Sequence, residues 1–320
     1  GDEFILVDRV RLAITGDTAI STVDRVVNTA IDGQIYVENG AGIVFDHPSD
    51  FPSSRNRVTF GETGLITVAG SIGDTWGIGI ADGNRDDVTN HGQISVIGFN
   101  AIGIYTAPEA SRVKIFNTGT ISSSNDGVDL RGSNGFFLHT GTVTAGDFGL
   151  RLSGASVDAD NSGTIAATVS GVLTTANVRF SNSGHVAGEE NAISVEGSGD
   201  AGDIFNQGSI IGGNYGIRVF TNTEAQTLVN SGTISGTIAS YDTSAASESE
   251  DTIRNSGEML GDVTLGTGND RYLGSGDGWV DGTVFGGSGL DILRGGSRDD
   301  SFEGGSGGDI MRGKGGDDTL

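Results

Sequence analysis

Aspartates recur every nine residues near the C-terminus of this 320-residue chain. They are Asp291, Asp300, Asp309 and Asp318, and Asp270 stands 21 residues before the first of them. Most follow a glycine-rich stretch, as in GGSGLDILR at 286 and GGSGGDIMR at 304. Glycine lets the backbone turn closely, and carboxylate and carbonyl oxygens are the ligands that hard cations such as Ca²⁺ prefer. The spacing therefore predicts a row of cation-binding turns.

These segments resemble the RTX calcium-binding nonapeptides of type I secreted bacterial proteins. They are GGSGLDILR at 286, GGSRDDSFE at 295, GGSGGDIMR at 304 and GKGGDDTL at 313, with LGTGNDRYL at 265 as a related piece. The resemblance covers about 55 of the 320 residues. It implies a parallel β-roll in which two nonapeptides form one coil, and in which aspartates and the carbonyl groups of the glycine turns hold Ca²⁺ between coils. The metal-site residues that it implies are Asp270, Gly286, Gly287, Gly289, Asp291, Gly295, Asp300, Gly304, Gly305, Gly307, Asp309, Gly316 and Asp318.

The two-repeat coil of that family also implies which aspartates are neighbours. Asp291 should stack with Asp309 on one edge of the roll, and Asp300 with Asp318 on the other. The large apolar position of the repeat, which faces inward in the family, holds Tyr272, Leu293, Phe302, Met311 and Leu320.

Two of the nonapeptides depart from the glycine pattern. Arg298 stands at the fourth position of the repeat at 295, and Lys314 at the second position of the repeat at 313. The repeats at 286 and 304 keep glycine at both positions.

A longer repeat, built on Asn-x-Gly-x-Ile, must position these turns. It occurs as NHGQI at 90, NTGTI at 117 and NSGTI at 161 and 230, and degenerate copies bring the total to ten units of about 25 residues. Two residues after the repeat glycine, all ten units hold an apolar residue: Ile35, Ile66, Ile94, Ile121, Val143, Ile165, Val186, Ile210, Ile234 and Met259. Four residues before it, nine units are apolar and Thr29 is the exception.

Units of this length, with three short alternating strands and no helical period, are typical of one coil of a parallel β-solenoid. Parallel crossovers are nearly always right-handed. We therefore predict an all-β protein, a right-handed parallel β-helix of about ten coils of ~25 residues that continues into an RTX calcium β-roll. The predicted domains are an N-terminal cap or edge strands at 1–30, the β-helix at 31–261 and the calcium-binding β-roll at 262–320.

Asparagine holds a turn position, two residues before the repeat glycine, in seven of the ten units: Asn90, Asn117, Asn161, Asn182, Asn206, Asn230 and Asn255. Its side chain can bond to neighbouring backbone, and identical asparagines stacked coil on coil can form a hydrogen-bonded ladder. His139 holds the same position in another unit. We predict that these residues stabilise turns and carry no catalytic role.

Composition excludes several classes of function. The chain has 18 basic and 42 acidic residues and a net charge of −24, which disfavours binding to nucleic acid and to anionic membranes. It has no cysteine, so disulfides, thiolate metal sites and cysteine nucleophiles are excluded. No apolar run reaches the ~18–20 residues that would span a bilayer, so membrane insertion is not expected.

One charged cluster could support catalysis: Asp126, Asp129 and Arg131 in one unit, with Asp147 and Arg151 in the next. Asp129 and Arg151 should stack across adjacent coils, so an ion pair on the solvated face is the simpler interpretation. A carboxylate pair for glycoside hydrolysis is the alternative. The two tryptophans and five tyrosines are too scattered for a sugar-stacking platform, and no catalytic residue is predicted.

We therefore predict a secreted, calcium-stabilised structural or adhesive protein at the bacterial cell surface. Its expected partners are calcium ions and further copies of itself, because the open strand edges of a solenoid invite end-to-end association into filaments or matrix. Polysaccharide or a cell surface is a further candidate partner. The alternative is a polysaccharide-modifying enzyme of the lyase, epimerase or hydrolase type, which rests on fold analogy.

Overall fold

The computed structural model describes residues 2–23, 27–46, 55–71, 73–175, 177–197, 202–221, 225–243 and 249–320. Every regular element in these ranges is a β-strand, and the strands stack in parallel as a β-solenoid of about 11 turns. The all-β solenoid prediction is confirmed. Since the described residues include no helix, none of them forms a helix that could cross a membrane.

The chain divides into two compact units, Gly1–Ala167 and Thr168–Leu320. The strands of unit 1 are β1 Asp2–Leu6, β2 Arg11–Thr15, β3 Ile20–Val23, β4 Val27–Ile31, β5 Gln34–Glu38, β6 Ala41–Asp46, β7 Arg57–Phe60, β8 Leu65–Gly70, β9 Thr75–Asp82, β10 Asp87–Asn90, β11 Gln93–Gly98, β12 Ala101–Thr106, β13 Lys114–Asn117, β14 Thr120–Ser123, β15 Asp126–Leu130, β16 Phe136–His139, β17 Thr142–Ala145, β18 Phe148–Leu152, β19 Val157–Asn161 and β20 Thr164–Ala167.

The strands of unit 2 are β21 Ser170–Thr174, β22 Val178–Asn182, β23 His185–Gly188, β24 Asn191–Glu196, β25 Asp203–Asn206, β26 Ser209–Gly212, β27 Tyr215–Thr221, β28 Thr227–Asn230, β29 Thr233–Asp242, β30 Thr252–Asn255, β31 Glu258–Thr264, β32 Arg271–Gly274, β33 Trp279–Asp281, β34 Val284–Gly289, β35 Ile292–Arg294, β36 Phe302–Gly307 and β37 Ile310–Arg312.

Each coil of unit 1 contributes one strand to each of three faces. The first face runs β1-β4-β7-β10-β13-β16-β19, the second β2-β5-β8-β11-β14-β17-β20 and the third β3-β6-β9-β12-β15-β18, and every pairing described in them is parallel. Unit 2 continues the plan with β22-β25-β28-β30-β32-β35-β37 as its first face. The repeat in sequence is therefore a repeat of coils.

The predicted core columns are buried. All ten residues that follow the repeat glycine by two positions are at most 1% exposed, from Ile35 to Met259. The residues four before that glycine are also buried, including Thr29 at 2%. Alternating strands such as β7, in which Val58 and Phe60 point inward, explain how so few apolar residues fill a continuous interior.

The predicted asparagine ladder is present within each of the two compact units. In unit 2 the side-chain amide of Asn182 donates to Asn206, that of Asn206 to Asn230 and that of Asn230 to Asn255, each at 2.8 Å. In unit 1 Asn90 donates to Asn117 at 2.7 Å. The ladder lets a buried polar side chain satisfy its hydrogen bonds at each turn.

His139 replaces asparagine in this ladder and is fully buried. Its Nδ1 lies 2.9 Å from the Asn117 amide nitrogen, and its Nε2 lies 3.1 Å from the Thr164 carbonyl oxygen. The Asn117 oxygen already accepts from Asn90, so its nitrogen faces the ring and donates to Nδ1. The ring therefore fits as the neutral tautomer with hydrogen on Nε2, and burial lowers its pKa.

Replacing His139 with asparagine should make unit 1 less sensitive to acid. A buried histidine with a lowered pKa contributes stability above its unfolded pKa of ~6.5, and that contribution is lost as pH falls below it. We expect the fall in melting temperature between pH 7.5 and pH 5.0 to be smaller in His139→Asn than in the wild-type protein. His91→Asn, at an exposed histidine, is the control. Equal falls in wild type and His139→Asn would contradict the neutral, buried ring.

Candidate calcium centre

Four aspartates of unit 2 stack along one edge of the solenoid; we call Asp251, Asp270, Asp291 and Asp309 the aspartate column. Each carboxylate accepts the backbone N–H of the residue one coil before it. Asp251 accepts from Gln226 at 2.8 Å and Asp270 from Asp251 at 2.7 Å. Asp291 accepts from Asp270 at 2.9 Å and Asp309 from Asp291 at 3.0 Å. Through their Oδ1 atoms the four aspartates thus link five successive coils, from that of Gln226 to that of Asp309.

The second carboxylate oxygens of the column are short of partners. Asp251, Asp270 and Asp291 are at most 1% exposed, and the Oδ2 atom of each has no hydrogen-bond partner within the described part of the chain. No arginine or lysine in those ranges forms an ion pair with the column. A buried carboxylate without a partner is costly. A positive charge beside the column would stabilise these carboxylates, and the described residues do not supply one.

The pKa values of the column are raised, as expected for buried carboxylates that lack a positively charged partner. Burial raises the pKa of Asp251 to about 6, against hydrogen bonds from the Gln226 backbone and the Ser249 side chain that lower it. Burial raises the pKa of Asp270 to about 7, against the hydrogen bond from the Asp251 backbone. The negative charges of Asp251 and Asp291 raise the pKa of Asp270 further. Burial also raises the pKa of Asp291. A cation close to these groups would stabilise the ionised form that burial disfavours.

The positions beside the carboxylates require glycine, because a side chain there would clash with a carboxylate oxygen. A Cβ atom on Gly286 would lie 2.5 Å from Asp291 Oδ2 and 2.6 Å from the Gly304 carbonyl oxygen. A Cβ atom on Gly304 would lie 2.5 Å from Asp309 Oδ2. These approaches place a carboxylate oxygen and a carbonyl oxygen together at the turn.

The same turn geometry occurs three times along this edge. The glycines at the second and fourth repeat positions all have φ between +90° and +144°, a region that disfavours other residues; they are Gly266, Gly268, Gly287, Gly289, Gly305 and Gly307. The predicted site residues at 286–291 and 304–309 therefore lie together with Asp270 on one edge.

The remaining predicted residues lie on the other edge. The Asp300 backbone N–H donates to Asp318 Oδ1 at 3.1 Å, and a Cβ atom on Gly295 would lie 2.0 Å from Asp300 Oδ2. Gly316 has a φ of +108°. The structure thus pairs Asp291 with Asp309 and Asp300 with Asp318, as the two-repeat coil implied.

The second edge differs from the first in its charges. Asp300 Oδ2 accepts the Gly296 N–H at 2.9 Å, and the positive charge of Lys314 opposes the rise in the Asp300 pKa that burial causes. Lys314 itself adopts a φ of +78° and donates to the Gly274 carbonyl oxygen at 3.0 Å. Arg298 lies over the Trp279 ring, 5.7 Å from its centroid. The two departures from the repeat therefore both fall on this edge, where a cation is needed less.

Asp251 is the member of the column that sequence reasoning missed. It stands outside the nonapeptides, 19 residues before Asp270. The signal that could have found it is its place two residues before the core residue Ile253, the same offset that separates Asp270 from Tyr272. Both of these core residues are fully buried.

The inward positions of the roll are only partly buried. Tyr272, Leu293 and Phe302 are at most 4% exposed, Met311 is half-buried and Leu320 is 58% exposed. The first three confirm the inward-facing expectation, whereas Leu320, in the last turn described, does not pack inside.

The donors present at the column fit calcium. Carboxylate and carbonyl oxygens, held by close glycine turns, are the ligands that this ion takes, six to eight at a time. Within the described ranges no three histidine, aspartate or glutamate side chains converge on one point, so backbone carbonyls must complete any such site.

Comparison with known proteins supports the same conclusion for the last turns. A family model for the RTX calcium-binding nonapeptide repeat matches residues 285–320, with four copies. A search of curated proteins and a search of solved structures each found no match. Residues 285–320 are therefore RTX calcium-binding nonapeptide repeats, and they form part of a parallel β-solenoid.

Proposed function

We propose that this protein is a secreted structural β-solenoid, adhesive in function, that calcium stabilises through the aspartate column. The observation that carries the proposal is the set of buried Oδ2 atoms without partners on Asp251, Asp270 and Asp291. The RTX repeats suggest the ion and also an extracellular location, because such repeats typically occur in proteins secreted by type I systems. Calcium is scarce inside cells, so the column would stay loosely ordered until export.

Equilibrium dialysis tests whether calcium binds and where. We expect the wild-type protein to bind Ca²⁺ at more than one site and to bind Mg²⁺ far more weakly, since Mg²⁺ demands a small octahedral shell. The double variant Asp291→Asn, Asp309→Asn should lose bound calcium. Asp281→Asn, which removes the charge of an exposed aspartate nearby, should bind like wild type. Equal binding by all three proteins would refute the column as the calcium centre.

We propose further that the protein associates end to end through its terminal coils. Ile5 and Val7, in the first described coil of unit 1, are 54% and 55% exposed, and Leu290 and Ile310, in the last turns of unit 2, are 61% and 48% exposed. Strands with one unpaired edge and exposed apolar residues favour strand addition by another copy. Such head-to-tail contacts need not close into a ring.

Sedimentation velocity distinguishes a polymer from a single copy. In calcium we expect species whose sedimentation coefficient increases with protein concentration. In chelator we expect the sedimentation coefficient not to depend on protein concentration. The variant Ile5→Lys, Val7→Lys places charges on the exposed edge and should remain small in calcium. Ile238→Lys, at an exposed apolar residue elsewhere, should still assemble. A wild-type protein that stays a monomer in calcium at all concentrations would overturn end-to-end association.

A further inference from the structure

Unit 1 contains a cleft of about 320 Å³, formed along the paired strands β9, β12, β15 and β18 of its third face. Carboxylate, guanidinium, amide and aromatic groups from four successive coils all line it. A volume of this size lies within the range of small-molecule sites. The calcium repeats at 285–320 contribute nothing to it.

An aromatic stack lies in the cleft. The Trp76 and Tyr105 rings are 4.8 Å apart between centroids and only 19° from parallel. The Arg131 guanidinium lies 5.2 Å from the Tyr105 centroid and extends the stack. Two aromatic residues that lie 29 positions apart in the sequence are therefore brought into contact here.

The charged cluster forms ion pairs different from those expected. Asp129 and Arg151 are in register on β15 and β18, but Arg131 binds Asp129 at 2.8 Å and Arg151 binds Asp126 at 2.9 Å. The two carboxylates are not on a solvated face, since Asp126 is 6% exposed and Asp129 is fully buried. Both arginine side chains line the cleft and remain partly exposed, at 42% for Arg131 and 30% for Arg151.

The turns beside these strands add hydrogen-bonding groups in a fixed orientation. Asn100 donates to Asp74 Oδ1 at 3.0 Å, and Asn125 donates to Asp147 Oδ2 at 2.8 Å. Each pair holds a carboxylate whose remaining lone pairs can accept hydrogen bonds.

We propose that this cleft binds a neutral oligosaccharide. Pyranose rings offer an apolar C–H face to an aromatic ring and hydroxyl groups at their edges. The Trp76–Tyr105 stack can pack against the apolar C–H face of a sugar ring. The aspartates and arginines can accept and donate hydrogen bonds to its hydroxyl groups. The occupant is a chain rather than a single sugar, because the lining groups come from four successive coils, the aromatic rings from the first two and the guanidinium groups from the last two.

The charge of the cleft selects against acidic sugars. Three aspartates line it against two arginines, and both arginines are already paired with aspartates. A uronate chain would bring further negative charge to carboxylates in a protein of net charge −24. The two most buried carboxylates are also held in ion pairs, so neither is placed as a free acid or base. We therefore assign binding, not cleavage, to the cleft.

Tryptophan fluorescence gives a direct test, because the chain has only two tryptophans. Trp279→Phe leaves Trp76 as the sole reporter, in the full-length protein. We expect at least one of cellohexaose, mannohexaose and N-acetylchitohexaose to change the Trp76 emission and to show saturable binding by calorimetry. Hexagalacturonate should bind more weakly than that sugar or not at all.

Two substitutions test the cleft itself. Asp147→Asn and Arg151→Gln should each weaken binding by roughly tenfold or more, since a hydrogen bond to a charged group is lost. Glu189→Gln, at an exposed acidic residue of unit 2, should leave binding unchanged. Circular dichroism melts of each variant check that it is folded.

Three results would overturn the proposal: no neutral probe binds, hexagalacturonate binds tighter than every neutral probe, or the cleft variants bind like wild type. Repeating the titration in chelator separates this site from the calcium centre. Sugar binding that persists without calcium would leave the cleft proposal standing even if the proposed calcium role failed.

Discussion

Calcium is expected to raise the melting temperature of unit 2 by roughly 5–10 °C for each bound ion, at a concentration about 100 times the dissociation constant. Binding to the folded state alone adds about 2.7 kcal/mol per site under that condition. In a unit of this size, Thr168–Leu320, each kcal/mol moves the midpoint by about 2–4 °C. The gain arises because Ca²⁺ neutralises buried carboxylates that otherwise carry unpaired charge.

Relative to the wild-type protein, the variant Asp291→Asn should melt at an equal or higher temperature without calcium and at a lower temperature with calcium. Its amide oxygen can still accept the Asp270 N–H, which lies 2.9 Å from the present carboxylate. Without calcium it removes a buried, unpartnered charge, so it should melt no lower than wild type. With calcium it removes a ligand, so it should melt lower.

Scanning calorimetry in calcium and in chelator measures this crossing, and hydrogen exchange locates the change to 249–320. Asp281→Asn, an exposed control, should follow wild type under both conditions. If Asp291→Asn melts below wild type by the same amount in both, the carboxylate acts through the fold and not through calcium.

The sequence predicted the core and the ladder well because a solenoid repeats its environment at every coil. Ile121, for example, lies between Ile94 of the coil before it and Val143 of the coil after it, so the apolar column is visible in the sequence alone. The pairing of Asp291 with Asp309 was instead implied by the resemblance to the RTX family, in which two nonapeptides form one coil.

The cleft could not be predicted because it depends on where one coil breaks that regularity. Trp76 is in register with Ile102, not with Tyr105. Tyr105 is in register with Gly79, and a Cβ atom on Gly79 would lie 2.6 Å from the Trp76 ring. The indole therefore occupies the space of a missing side chain, and this places it against Tyr105. Aligning equivalent positions of the repeat does not detect such a contact between two positions that are not equivalent.

Asn206→Leu should destabilise unit 2 by about 3 kcal/mol, a drop of roughly 6–12 °C in its melting temperature. Asn206 is fully enclosed and lies in the middle of the ladder, accepting from Asn182 and donating to Asn230, both at 2.8 Å. Leucine has a similar volume but leaves the Asn230 oxygen without this donor and the Asn182 amide without this acceptor. Each buried polar group left unsatisfied costs about 1–3 kcal/mol. Gln207→Leu, at the exposed next residue, is the matched control and should change the midpoint little.

The direction of the ladder predicts that its end matters less than its middle. In unit 2 the side-chain amide of each ladder asparagine from Asn182 to Asn230 donates to the next asparagine toward the C-terminus. The last of the ladder, Asn255, donates to the Tyr272 hydroxyl at 3.1 Å. Tyr272→Phe removes only that acceptor, and Asn255 keeps the Trp279 carbonyl oxygen at 3.2 Å. We expect a cost of about 1 kcal/mol or less, against about 3 kcal/mol for Asn206→Leu, because one buried group loses a partner here, whereas in Asn206→Leu both the Asn182 amide and the Asn230 oxygen do. Equal costs for the two variants, measured by chemical denaturation in the same buffer, would mean that the asparagines act as separate turn residues. A larger cost in the middle would mean that the ladder couples one coil to the next.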